Sequence, residues 1–129
     1  TVDVIDDAGI EDRTRVLGID TPETVAPRQP PQCWGPEASA FAAGVLLHQR
    51  VDVVTDPTQA VRDRYGRLLA YLYLPDGRNY SVMAAAAGEA RAYTYNDVPV
   101  TEAHAIAVAE QEARSARRGL WGPPCSGAR

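Results

Sequence analysis

Nine consecutive residues, Arg15-Val16-Leu17-Gly18-Ile19-Asp20-Thr21-Pro22-Glu23, open with a cation, cross an apolar run and end in two carboxylates. Pro22 has no N–H and a fixed φ, so a strand ends by Thr21. Side chains on a strand alternate, which puts Arg15, Leu17 and Ile19 on one face and Val16 and Gly18 on the other. An arginine sharing a face with apolar groups is costly unless an anion meets it. Asp20 and Glu23 fall where strand gives way to loop, and function tends to collect there. A metal site, a general base and an anion clamp all fit these residues. So does a plain strand, capped by a polar turn and carrying a surface arginine.

A second stretch, Asp63-Arg64-Tyr65-Gly66-Arg67-Leu68-Leu69-Ala70-Tyr71, sets another arginine at the start of another apolar strand. With both stretches in view, the chain resembles the staphylococcal nuclease (thermonuclease) family. The other matching pieces are Gly35-Pro36-Glu37-Ala38-Ser39-Ala40-Phe41, Tyr93-x-Tyr95 and Gly119-Leu120-Trp121. They run in order over nearly the whole chain, which a lone short motif never offers.

Phosphodiester cleavage needs an aimed and deprotonated water, neutralisation of charge on the phosphoryl oxygens, and a stabilised leaving oxygen. Arginine suits the second need, because its planar fork meets two phosphate oxygens and keeps its charge. A hard cation held by oxygen ligands shares that work. The resemblance implies roles. Arg15 and Arg67 grip the scissile phosphate, and Glu23 is the general base or water-positioning group. Asp20 is a carboxylate ligand of Ca²⁺, with Thr21 adding its backbone carbonyl. The family's other metal-binding Asp corresponds to the position just before Thr1. Arg64 and Tyr65 match a phosphate-binding lysine and tyrosine, and Leu69 an apolar wall. Tyr93 and Tyr95 match a pair beside the nucleotide, one donating to phosphate and one stacking under the base. Stacking is tolerant of sequence, at about 1–3 kcal/mol per base. Taken singly, Asp20 reads as a strand end, Arg67 as a solvated cation and the tyrosines as strand-edge aromatics.

These side chains need elements to hold them. Thr1–Ile5 and Ile10–Ile19 read as a hairpin about the turn Asp6-Asp7-Ala8-Gly9. Val25–Gln32, with Pro27, Pro30 and Pro31, reads as loop. Gly35 to about His48 reads as a helix, with Pro36 and Glu37 suited to its first turn. Val51–Thr55 is a β-branched strand, Asp56–Arg62 a loop, and Gly66–Leu74 a long apolar strand turned back at Pro75-Asp76-Gly77. Ser81–Ala87 is a short Ala-rich helix with Ser81 as N-cap. Ala90–Tyr95 is extended. Thr101–Arg118 is the longest helix, with Thr101 as N-cap and Gly119 as its stop. Five short strands and interspersed helices without βαβ alternation give an α+β class. The resemblance sharpens this to a five-stranded OB-fold barrel with three helices in one domain, residues 1–129.

The formal net charge is −4 and the sequence pI about 5.1. That balance argues against a protein that coats nucleic acid, but not against an enzyme that touches a phosphodiester locally and lets go. All 13 basic residues are arginine. This uniformity reflects composition, so only placed arginines carry weight. His48 and His104 have no Ser, Cys or carboxylate at triad or zinc-ligand spacing, and Trp34 and Trp121 read as packing residues. No apolar run is long enough to span a bilayer, and no signal peptide is present, which fits a cytosolic protein or a mature secreted form. Cys33 and Cys125 lie in polar, Pro-rich segments, where a disulfide is favoured over two buried thiols. Such a bridge constrains the unfolded chain by roughly 4–5 kcal/mol and points to a secreted or extracytoplasmic home. It is expected to bear on stability and to leave chemistry alone.

The leading expectation is a metal-dependent monomeric nuclease acting on DNA and RNA with little sequence preference. As the resemblance has it, the 5′-oxygen leaves and the products carry 3′-phosphates. The rivals are a catalytically inactive nuclease-like binding module and a plain OB-fold single-strand binder.

Overall fold

A computed structural model describes residues 1–24 and 30–129. Strands β1 (Val2–Ile5) and β2 (Glu11–Val16) form the expected antiparallel hairpin, with Val2 opposite Thr14 and Ile5 opposite Glu11. Its turn is set by Asp6, whose Oδ1 accepts from the N–H groups of Ala8 and Ile10, both at 2.9 Å. β5 (Leu68–Tyr73) runs parallel to β2, and β4 (Asp52–Val54) pairs with β5 antiparallel, giving the order β1-β2-β5-β4. A second, two-stranded sheet joins β3 (Ile19–Asp20) to β6 (Arg91–Ala92). With three helices this is an α+β fold whose curled mixed sheet makes a half-barrel.

The strand expected over 10–19 does not run through. Gly18 stands at φ +82°, and a Cβ there would lie 2.5 Å from Ile106 Cδ1. The chain therefore turns between β2 and β3 on a residue that only glycine suits. The strict alternation of faces is lost with it, and Val16, Leu17 and Ile19 are all buried. Arg15 stays at the end of β2, half-buried.

Helix α1 (Gly35–Leu46) starts as expected, with Pro36 and Glu37 in its first turn, and stops two residues short of His48. In α2 (Tyr80–Ala86) the cap is Asn79, whose Oδ1 accepts from Ser81 N–H at 2.8 Å. Ser81 lies inside the helix, fully buried, and its hydroxyl donates to the Leu17 carbonyl at 2.7 Å. Helix α3 (Ala103–Ser115) begins after Thr101, whose N–H and hydroxyl both turn away to Asp56. Side chains of no bulk, Ala84 and Ala85, let α2 lie close against β5 and α3. Around them Ile19, Leu72 and Ile106 fill the core, each about 1% exposed. Cys33 and Cys125 are bridged, with Cα atoms 5.8 Å apart, as expected. Of the loop expected over 25–32, residues 25–29 lie outside the described residues, and 30–32 have no regular structure. No described helix is long and apolar enough to cross a membrane.

Candidate active site

The parallel register of β2 and β5 sets Arg15 beside Leu69. This brings the first candidate arginine to the start of the strand that Arg67 precedes. Arg15 Nη1 donates to the carbonyls of Val16 and Ile19, at 3.1 and 3.0 Å, so the bend around Gly18 wraps the guanidinium. Burial lowers the Arg15 pKa from its ordinary value, and the negative charge of Asp20 works in the other direction. The guanidinium also lies 5.6 Å from the centroid of the Tyr93 ring. Tyr93 is brought there by its N–H, which donates to the Gly18 carbonyl at 2.9 Å.

Asp63 organises the second arginine. Its Oδ1 accepts from the N–H groups of Tyr65 and Arg67, and its Oδ2 from Arg67 Nε at 2.7 Å. Burial works to raise the Asp63 pKa, but the donations from Arg67 and Tyr65 outweigh it and leave it lowered. Gly66 at φ +80° closes the turn. Arg64 lies 4.9 Å and Arg67 5.6 Å from the Tyr65 ring centroid, and Arg64 Nη2 donates to the Tyr65 hydroxyl at 2.7 Å. Arg62 ties the same turn to β2 by a two-pronged pair with Asp12, at 2.9 and 2.8 Å, and a bond to the Gly66 carbonyl.

One cavity of about 540 Å³ gathers Arg15, Arg64, Tyr65, Arg67, Leu69, Tyr93 and Tyr95. Every residue expected to touch phosphate or nucleotide is in that set. Tyr65 and Tyr95 are more than half exposed, so the rings stand ready at the rim. Asp20, Thr21 and Glu23 are not among its lining residues. Asp20 Oδ2 instead accepts from Arg129 Nη1 at 3.1 Å. Glu23 has an exposed side chain, and its backbone is held by Gln32. Sequence reasoning missed Asp63, Asp12, Gln32 and Arg129. For Asp63 a signal existed, since Asp three residues before Gly commonly folds its carboxylate back onto a turn.

Metal fit rests on donor type. Asp20 and Thr21 offer a carboxylate and a carbonyl in succession, the hard oxygens that suit Ca²⁺. A cation, the Arg129 guanidinium, already sits on that carboxylate. Among the described residues no group of three or more acidic, His or Cys side chains encloses a site. Asp20 and the Thr21 carbonyl are two oxygen donors, fewer than the six to eight that Ca²⁺ takes.

Residues 13–123 match the family described as staphylococcal nuclease homologue, and the chain belongs to that family. It is 38% identical over 120 residues to a thermonuclease of Staphylococcus intermedius, covering 92% of this chain and 68% of that protein. It is 35% identical over 119 residues to a thermonuclease of Staphylococcus hyicus, with the same coverage. To endonuclease YncB of Bacillus subtilis it is 36% identical over 115 residues, covering 88% of this chain and 53% of that protein.

Proposed function

We propose that this chain is a Ca²⁺-dependent nuclease that hydrolyses DNA and RNA with little sequence preference and leaves 3′-phosphates. The observation that carries the reading is the convergence of Arg15 and Arg67 on one cavity rimmed by tyrosine rings. Its supports are the family membership and the names borne by the relatives. We place this activity on a single monomeric domain, residues 1–129, built on the family's five-stranded OB barrel. The disulfide favours an oxidising, extracytoplasmic compartment.

In this mechanism the guanidinium forks of Arg15 and Arg67 take the phosphoryl oxygens and meet the charge that grows there. Glu23 aims a water at phosphorus and accepts its proton, and the 5′-oxygen leaves. Tyr93 and Tyr95 hold the nucleotide by hydrogen bonding and stacking, while Arg64 and Tyr65 hold a neighbouring phosphate. Ca²⁺, held by Asp20 and the Thr21 carbonyl, supplies further positive charge when bound.

The test is to mix the purified chain with denatured DNA, in Ca²⁺ and in excess chelator. Cleavage confined to the Ca²⁺ sample is expected. Binding without cleavage in both samples points to a binding module and overturns the enzyme.

Arg67→Lys keeps the charge and loses both the fork and the Nε–Asp63 bond. A fall in kcat of about 10²-fold is expected, with a much smaller change in KM. Steady-state kinetics on single-stranded DNA decide it: a lysine variant as fast as the parent leaves bulk positive charge as the only requirement.

A further inference from the structure

One residue takes both backbone groups of Glu23. Gln32 Oε1 accepts from the Glu23 N–H at 3.0 Å, and the Gln32 N–H donates to the Glu23 carbonyl at 2.8 Å. The chain beyond Gln32 is pressed onto the same peptide. A Cβ at Gly35 would lie 2.8 Å from the Glu23 carbonyl oxygen and 3.1 Å from Thr24 Cγ2. Between Gln32 and Gly35 come Cys33, bridged to Cys125, and Trp34, whose indole N–H donates to Glu89 Oε2 at 2.8 Å.

The other side of the bridge leads to the second acidic candidate. Past Cys125, the Gly127 carbonyl accepts from Arg91 Nη2 at 2.8 Å, and Arg129 reaches Asp20. Arg91 is itself the β6 partner of Asp20. The disulfide therefore joins two segments that each end on one acidic residue of the candidate site.

We propose that Gln32 is a positioning residue for Glu23, and that the Cys33–Cys125 disulfide braces it there. The proposal rests on the nuclease reading for its catalytic part, and it revises the expectation that the bridge serves stability alone. Gln32 touches no reacting atom; it fixes the peptide from which the Glu23 carboxylate projects. A displacement of about 1 Å in such a group can cost on the order of 10²-fold in rate.

The experiment compares the parent with Gln32→Met, Gln32→Glu and the double variant Cys33→Ser/Cys125→Ser. Each is assayed on single-stranded DNA with Ca²⁺, at a temperature where circular dichroism shows it folded. Gln32→Met removes the acceptor, and a fall in kcat of about tenfold with KM unchanged within about twofold is expected. Gln32→Glu keeps an acceptor oxygen and is expected to recover most of that loss. The double serine variant is expected to fall as Gln32→Met does. Amide hydrogen exchange by NMR reads the Glu23 N–H directly and needs no activity. It is expected to exchange at least about tenfold faster in Gln32→Met and in the serine variant than in the parent. Unchanged kcat in folded Gln32→Met overturns the positioning role. Unchanged Glu23 exchange in the serine variant overturns the brace. A parent that does not cleave overturns the nuclease reading together with the catalytic role of Gln32, and the exchange rates then still decide the brace.

Discussion

Glu23→Gln is expected to lower kcat by about 10²–10⁴-fold, the usual worth of a general base, and to leave KM within a few-fold. Glutamine has the same shape and cannot take a proton from water. The backbone at this position is held by Gln32 through both its N–H and its carbonyl, and those bonds survive the substitution. Glu23 Oε1 also accepts from the Thr24 N–H at 3.2 Å, a bond that the glutamine Oε1 can keep. The change therefore tests proton acceptance with little disturbance of position. Steady-state kinetics with a fluorogenic oligonucleotide supply the number. A variant with near-native turnover would take Glu23 out of the mechanism and leave water activation to another group.

The largest loss of stability is expected from Asp56→Ala. Asp56 is 3% exposed. Its Oδ1 accepts from Thr58 N–H and Oγ1 at 2.9 and 2.7 Å. Its Oδ2 accepts from Tyr71 Oη at 2.9 Å and from Thr101 N–H and Oγ1 at 2.8 and 3.0 Å. One carboxylate thus joins the loop after β4, the middle of β5 and the approach to α3. Burial pushes the Asp56 pKa up, but the donors from Thr101, Thr58 and Tyr71 outweigh it and hold it well below the usual carboxylate range. Burial also pushes the Tyr71 hydroxyl up to about 12, so it stays protonated and able to donate. Alanine strands these donors, at a cost of about 3–5 kcal/mol, measurable by urea unfolding at pH 7.

The pH dependence follows in sign. A depressed folded pKa gives stability that is fully present above the unfolded value, about 3.9, and is lost as pH falls through the folded value. The parent is expected to lose stability below about pH 4. Asp56→Asn has no such proton to bind and should show a shallower acid slope. Equal slopes would mean that the acid sensitivity resides elsewhere. The same hub supports the cavity that holds Arg15 and Arg67, since Thr58 and Gln59 line it and Gln59 Nε2 donates to the Val98 carbonyl at 2.9 Å.

Much of this was legible in the chain. Alternation, β-branched runs and turn residues located the hairpin, both remaining long-sheet strands and all three helices. The family resemblance carried by the two arginine stretches named the residues that line the cavity. What escaped was whatever depended on partners distant in sequence. Ser81 and Thr101 look like caps by local chemistry. Tertiary acceptors claimed them first, the Leu17 carbonyl for one and Asp56 for the other. The bend at Gly18 could not be told from a glycine within a strand, because the side chain that crowds it, Ile106, lies 88 positions later in the chain. Gln32 carries no motif at all; its meaning comes only from the peptide it meets.

The two tryptophans are divided from the tyrosines of the cavity. Trp34 adjoins the half-cystine Cys33. The Arg114 guanidinium lies over Trp121, 4.3 Å from the indole ring centroid, and Trp121 also lies against Gly127 of the tail. Tyr65, Tyr93 and Tyr95 line the cavity that Arg15 and Arg67 share, and neither tryptophan does. The chain is thereby supplied with a built-in optical probe of its cross-linked tail. Indole emission reports on the segments that the disulfide joins, while only three of the six tyrosines, Tyr65, Tyr93 and Tyr95, stand at the cleft. In a melt, release of that tail becomes a trace of its own without any added dye.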